Sequence, residues 1–105
     1  MGRVLKRDKK SESESHLTKK LKEAVRNSCG LFIKLSDRYH TGYPDVIVIH
    51  PGGQVDFLEI KAENGTLGRL QEYYGKEIIK RGGSWFEIRG LKGVKKYLEL
   101  RKIEE

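Results

Sequence analysis

The chain has 105 residues, about the length of one ordinary domain, with 35% charged and 36% hydrophobic residues and a formal charge of +7. No run approaches the roughly 20 apolar residues of a membrane-spanning helix, and apolar clusters recurring from Leu17 to Leu100 exclude wholesale disorder. A basic surplus of this size points to a polyanionic partner, usually nucleic acid, and says nothing of fold or reaction.

Residues 1–27 carry nine basic and four acidic residues, whereas the other 78 carry 13 and 11. Residues 1–10 therefore read as a flexible basic arm, and 11–105 as a single domain. Cys29, the one cysteine, excludes an internal disulfide and a multi-cysteine zinc site. It fits a reducing, cytoplasmic setting and is expected as a packed thiol. The N-terminus has no apolar stretch of the secretory kind.

A helix is expected from Ser11, where Ser11-x-x-Glu14 has capping-box spacing. Leu17, Leu21, Ala24 and Val25 continue one face, and Cys29-Gly30 ends it. Leu31 to Leu35 reads as a strand. A polar loop from Ser36 to Gly42 follows, with Arg38 and an exposed His40. Val46 to Ile49 is β-branched without polar alternation, so a strand covered on both faces is expected. His50 is expected at the surface, before the turn at Pro51-Gly52-Gly53. Val55 to Ala62 is a further strand, and Thr66 reads as the N-cap of a helix with Leu67, Leu70, Tyr74 and Ile78 inward. Gly82-Gly83 stops it, Ser84 to Arg89 is the last strand, and Leu91 to Ile103 is a helix with Val94, Tyr97 and Leu98 inward. Trp85 and Phe86 read as core or subunit-interface residues. The order is α-β-β-β-α-β-α. Hairpins join the first three strands, and a right-handed crossover brings the fourth in parallel. This makes an α/β fold with a mixed four-stranded sheet flanked by helices.

Three charged residues flank the two central strands. Glu59 and Lys61, two apart, share a face of one strand; Asp45 follows Pro44 at the mouth of the other. Burying a carboxylate is costly without a cation, a metal or strong hydrogen bonds. An ion pair between Glu59 and Lys61 is the plain structural alternative. Register discriminates. A two-residue loop sets Asp45 against Ile60 and parts the carboxylates; a three-residue loop sets Asp45 against Glu59. Pro51 suits the first position of a type I turn and Gly53 the left-handed residue after it, so the three-residue loop is expected. Directly opposed Cβ atoms lie about 4.5–5.5 Å apart, close enough for both carboxylates to hold one Mg²⁺, with the Ile60 carbonyl as a further ligand. Such an ion activates a water and neutralises charge on a phosphate, and Lys61 assists.

Gly42-Tyr43-Pro44-Asp45, then 13 residues, then Glu59-Ile60-Lys61 resembles the PD-(D/E)XK nuclease motif. With Gly52-Gly53, Gly65, Gln71 and Gly82 in sequence, residues 12–100 resemble the VRR-NUC branch, in particular its small, stand-alone, phage-type members. The resemblance implies a restriction-endonuclease-like αβββαβ core and metal-dependent hydrolysis of DNA phosphodiesters. It implies Asp45 and Glu59 as metal ligands, Lys61 as catalytic lysine and Gln71 as a positioning residue. A glutamate of the first helix completes the metal site. Glu14 is the match, although it also fits the capping box, and Glu12 is the other candidate. Mg²⁺ is the expected cofactor, with Mn²⁺ able to substitute. DNA is the expected partner, contacted by Lys6, Arg7, Lys9, Lys10, Lys34, Arg38 and Arg69. No membrane and no small-molecule substrate are expected. The resemblance further implies a homodimer, for which branched or four-way DNA is the matching substrate. A catalytically silent DNA-binding module with the same fold is the alternative.

Overall fold

Helix α1 begins two residues later than its capping pattern predicts. In the computed structural model, which describes residues 12–35 and 42–104, the elements are α1 (Glu14–Asn27), β1 (Leu31–Lys34), β2 (Val46–Ile49), β3 (Val55–Lys61), α2 (Arg69–Lys80), β4 (Ser84–Arg89) and α3 (Gly90–Leu100). Ser13, not Ser11, caps α1, its hydroxyl accepting the His16 N–H at 3.1 Å. Glu14 is thereby the first helical residue and takes no part in the cap. Helix α1 ends with Cys29 in the left-handed region, φ +65°, and the Gly30 N–H closing onto the Val25 carbonyl at 2.9 Å. That conformation turns the thiol outward: Cys29 is exposed, not packed.

The sheet order is β1-β2-β3-β4. The first three strands pair antiparallel, and α2 carries the chain across so that β4 lies parallel to β3. Helices α1 and α3 cover one face. Leu17, Leu21 and Val25 of α1 and Val94, Tyr97 and Leu98 of α3 meet Val46, Val48, Leu58, Ile60 and Ile88 there, all buried. At about 25 cal/mol per Å² of apolar surface, this cluster is the main source of stability.

The other face is covered only in part. Helix α2 packs on β4, where Gly75 lies so close to the Trp85 ring that a Cβ would come within 2.5 Å of it. Strand β2 is therefore not covered on both faces. Val46 and Val48 are buried, while Ile47 and Ile49 are half-buried. Leu31, Ile33 and Val55 in the same rows are exposed. Leu70, expected inward, is 51% exposed, because α2 starts at Arg69 with Gly68 as N-cap, not at Thr66, and turns its small Gly75 to the sheet.

The far end of the sheet holds a polar network. Asp56 is fully buried and receives the Arg101 guanidinium through two bonds of 2.7 Å, together with the Tyr97 hydroxyl. His50, expected at the surface, is buried with its Nε2 2.8 Å from the Tyr97 hydroxyl. These hydrogen bonds, Arg101 first, outweigh desolvation and hold the Asp56 carboxyl below its usual range. The network ties the end of α3 to the sheet.

Candidate active site

The β2–β3 hairpin decides which residues meet. His50 N–H donates to the Gln54 carbonyl and Gly53 N–H to the His50 carbonyl, both at 2.9 Å, so the loop has three residues. Gly52 and Gly53 both take positive φ, +97° and +96°. The turn therefore has the left-handed third residue of type II rather than the expected type I, and the register is the same. Val46 pairs with Leu58, and one step further Asp45 stands across from Glu59.

There the strands part. Pro44 offers no N–H, and the ladder ends at Val46. The Ile60 N–H, which points toward β2, is taken by Asp45 Oδ2 at 2.8 Å. The Asp45 N–H donates to the Leu58 carbonyl at 3.0 Å and to Glu59 Oε1 at 3.2 Å. In a strand a residue's N–H and C=O point the same way across the ladder, so the Ile60 carbonyl also faces the gap beside Asp45.

Glu59 is fully buried, and its Oε2 has no hydrogen-bond partner. Burial, and then the neighbouring Asp45 charge, push its carboxyl up to about 7, against a smaller opposing pull from Lys61. Burial likewise raises Asp45, opposed by the Ile60 N–H and by Lys61. Glu14 adds repulsion to both carboxyls, and Lys34 attracts Asp45. Glu14, Lys34 and Lys61 thus all stand within electrostatic reach of the pair. Glu12 instead pairs with His16 at 3.2 Å. Among the described residues, no group of three or more His, Cys, Asp or Glu side chains is assembled closely enough to hold a metal ion. The carboxylates that meet are Asp45 and Glu59, and Glu14 is a neighbour of the pair rather than a member of a closed cluster.

Lys61 is half-buried, and its Cδ would lie 3.5 Å from a Cβ on Gly65. Arg89, its partner in register on β4, donates to the carbonyls of Glu63 and Gly65 and pairs with Glu87. Arg89 thereby braces the loop against which the lysine stem runs. A basic residue at the end of the last strand was the only sequence signal for it. Gln71 is not aimed at the sheet: its Oε1 accepts the Gly68 N–H at 2.7 Å and caps α2. Arg69 is exposed beside a hollow of about 360 Å³ lined by Gly42, Gly68, Leu70 and Gln71. Lys6, Arg7, Lys9, Lys10 and Arg38 lie outside the described residues.

No protein-family model and no curated protein sequence matches the chain. A solved structure described as a VRR_NUC domain is 32% identical to it, with a TM-score of 0.73. The match covers 82% of this chain and 94% of that one.

Proposed function

This chain belongs to the VRR_NUC family, a nuclease-type hydrolase fold, and we propose that it is a divalent-metal-dependent DNA endonuclease with Asp45, Glu59 and Lys61 as its catalytic set. The observation that carries the reading is the buried Glu59 oxygen without a partner, next to a second carboxylate across the parting strands. Two carboxylates so close repel each other and leave an acceptor unsatisfied, a costly arrangement for structure alone. A cation resolves both faults.

The donor set fits Mg²⁺. Glu59 Oε2, Asp45 and the Ile60 carbonyl are all oxygens, and Mg²⁺ is ordinarily held by one or two carboxylates with water and substrate phosphate completing its shell. Glu14, at the start of α1, is the residue that would extend the set. Mn²⁺ prefers the same ligands. Such an ion supplies Lewis acidity toward a phosphate oxygen and lowers the pKa of water. The protein's own part is positional. The hairpin register and the Ile60 N–H fix Asp45. Asp45 in turn holds Glu59 through its N–H. Lys61, kept in place by the Arg89-braced loop, sets a positive charge where the phosphate would gain negative charge. Glu59, its carboxyl pushed up to about 7 by burial and by the Asp45 charge, would give up its proton to hold such an ion. Gln71 keeps its amide donors for a phosphate or water while its oxygen caps the helix.

Lys34 and Arg69 flank this end of the sheet, and with Lys6, Arg7, Lys9, Lys10 and Arg38 they form the proposed DNA contacts. Their role is phosphate positioning and a salt-dependent affinity. The half-covered rows Leu31–Ile49–Val55 and Ile33–Ile47–Phe57 give a second copy an apolar surface, and a homodimer acting on branched or four-way DNA is part of this reading.

The test is cleavage of linear, flapped and four-way DNA with Mg²⁺, Mn²⁺ or EDTA, by wild type, Asp45→Ala and Lys61→Ala. Cleavage by the wild type with metal only, and by neither variant, is expected. Cleavage in EDTA or by Asp45→Ala would overturn the mechanism. Binding without cleavage by the wild type would assign the silent DNA-binding module.

A further inference from the structure

Helices α1 and α3 lie side by side on the face of the sheet that carries Leu58 and Ile60. Their outer sides are basic. Past the first turn of α1, Lys19, Lys20, Lys22 and Arg26 are exposed against one acid, Glu23. On α3 and just beyond it, Lys92, Lys95, Lys96 and Lys102 are exposed against Glu99. These exposed residues hold a surplus of six, in a chain whose whole net charge is +7. A hollow lined by Lys20, Asn27, Val94 and Leu98 lies between the helices, so the two outer sides form one surface. None of the eight bases makes an ion pair or side-chain hydrogen bond among the described residues. Helix α2 is built differently, with Glu72 paired to Lys76 and Glu77 to Lys80 and Arg81. Lys22 and Arg26, and likewise Lys92 and Lys96, instead stand four apart as like charges, a spacing that disfavours the helix. An unpaired, single-sign surface of this kind complements a polyanion.

Both helices start at the catalytic end of the sheet. Glu14, the first residue of α1, is within electrostatic reach of Asp45 and Glu59. Gly90, the first of α3, follows Arg89, the register partner of Lys61. Both helices end at the opposite side, where Ser28 and Lys102 line a hollow with Pro51 of the β2–β3 turn. The 14 residues of α1 carry the basic surface about 20 Å from the site, the length of about six base pairs. This surface is not on the side where the cut strand would lie. Leu58 and Ile60 face α1 and α3, so by alternation Glu59 and Lys61 face the other side of the sheet. A continuous duplex seated at Glu59 and Lys61 would have to fold back round the end of the sheet to meet the lysines, and DNA is stiff over about 150 base pairs. A branch sends a second arm off in another direction from the same point, with no such bend.

We propose that the outer face of α1 and α3 binds a second duplex arm of branched DNA, while the arm to be cut lies at Asp45, Glu59 and Lys61 on the opposite face. The inference rests on the nuclease reading for its substrate. It gives one protomer two duplex sites that meet at the branch. Once the first arm is seated, the second binds as an intramolecular event, so phosphate contacts alone select branched over linear DNA.

The experiment uses the full chain in EDTA, so that binding is read without cleavage. Three triple variants lose the same charge: Lys19→Gln/Lys22→Gln/Arg26→Gln on α1, Lys92→Gln/Lys95→Gln/Lys96→Gln on α3, and the control Lys76→Gln/Lys80→Gln/Arg81→Gln on α2. Glutamine keeps the helix propensity of the residues it replaces, and thermal melting checks each fold. In hydroxyl-radical footprints of four-way DNA, wild type protects two arms. The α1 and α3 variants lose protection of one arm only. Their slope of log affinity against log salt on four-way DNA falls by about 2 to 3, near 0.9 for each lost phosphate contact, and the control keeps both footprint and slope. Unchanged footprint and slope in the α1 and α3 variants would overturn the second site. An equal fall in the control would do the same, by reducing the effect to net charge. Intact DNA binding with lost binding to vesicles of anionic phospholipid would also overturn it and assign the face to a membrane surface. Loss of second-arm protection in the variants, with no cleavage by wild type in Mg²⁺, would count against the nuclease reading while supporting the second site. Wild-type cleavage in Mg²⁺, with footprints that the α1 and α3 variants leave unchanged, would count against the second site alone.

Discussion

Replacing Glu59 by Gln should make the protein more stable at alkaline pH while abolishing its activity. Glu59 is fully buried, one of its oxygens has no partner, and Asp45 stands opposite. Its carboxyl is raised from 4.5 to about 7, which corresponds to about 3 kcal/mol of linked stability. The raised value means that the folded state holds the proton more tightly than the unfolded chain. This contribution is fully present below pH 4.5 and is lost as the pH rises through 7. Glutamine is nearly isosteric with the protonated acid and does not titrate. Urea unfolding in EDTA should give wild type and Glu59→Gln similar stabilities at the acid end of this range, and should favour the variant by about 3 kcal/mol at pH 8.5. Mg²⁺ at pH 8.5 should narrow the gap by stabilising the wild type alone. An equal difference at both pH values, or a variant less stable at pH 8.5, would refute the assignment of Glu59 as a strained ligand awaiting a cation.

Three further outcomes follow from particular contacts. Asp56→Ala removes the common acceptor of Arg101, Tyr97 and His50. It should cost about 3–5 kcal/mol in urea unfolding, as for other broken buried ion pairs, without altering metal dependence of cleavage. Gly75→Ala drives a methyl into the Trp85 ring; a loss of about 1–3 kcal/mol is expected, with α2 displaced rather than unfolded, read by thermal melting and the shift of Trp85 fluorescence. Lys61→Ala should lower kcat by about 10²- to 10³-fold, the loss typical for removal of one donor of this type, and leave DNA affinity within a few-fold. A comparable fall in affinity with kcat preserved would recast Lys61 as a phosphate anchor.

The strands and the pairing of Asp45 with Glu59 were legible because both depend on local chemistry. Alternation put Glu59 and Lys61 on one face, and Pro51-Gly52-Gly53 set a three-residue loop whichever turn type it took. What escaped depended on partners far along the chain. Asp56 meets Arg101 and His50 meets Tyr97 across more than 40 residues, and nothing near Asp56 in the sequence signals its burial. Ile47 and Ile49 look the same as Val46 and Val48 by composition; only the docking of α2 on β4, permitted by Gly75, leaves one row half-covered. Gln71 interrupts an apolar face whether it points to the sheet or to its own helix start, and periodicity does not separate the two. The start of α1 turned on which of two serines, Ser11 or Ser13, places its hydroxyl on an N–H three residues later, and both have that spacing.

The central claim is that Asp45 and Glu59 together hold a divalent cation. Its most direct test is calorimetric titration of Mn²⁺ into wild type, Asp45→Ala and Glu59→Gln at pH 7, in two buffers of different ionisation enthalpy. The account predicts binding to wild type accompanied by release of part of one proton, that of Glu59, and loss of that binding in both variants. Binding of unchanged affinity in Asp45→Ala and Glu59→Gln would contradict it.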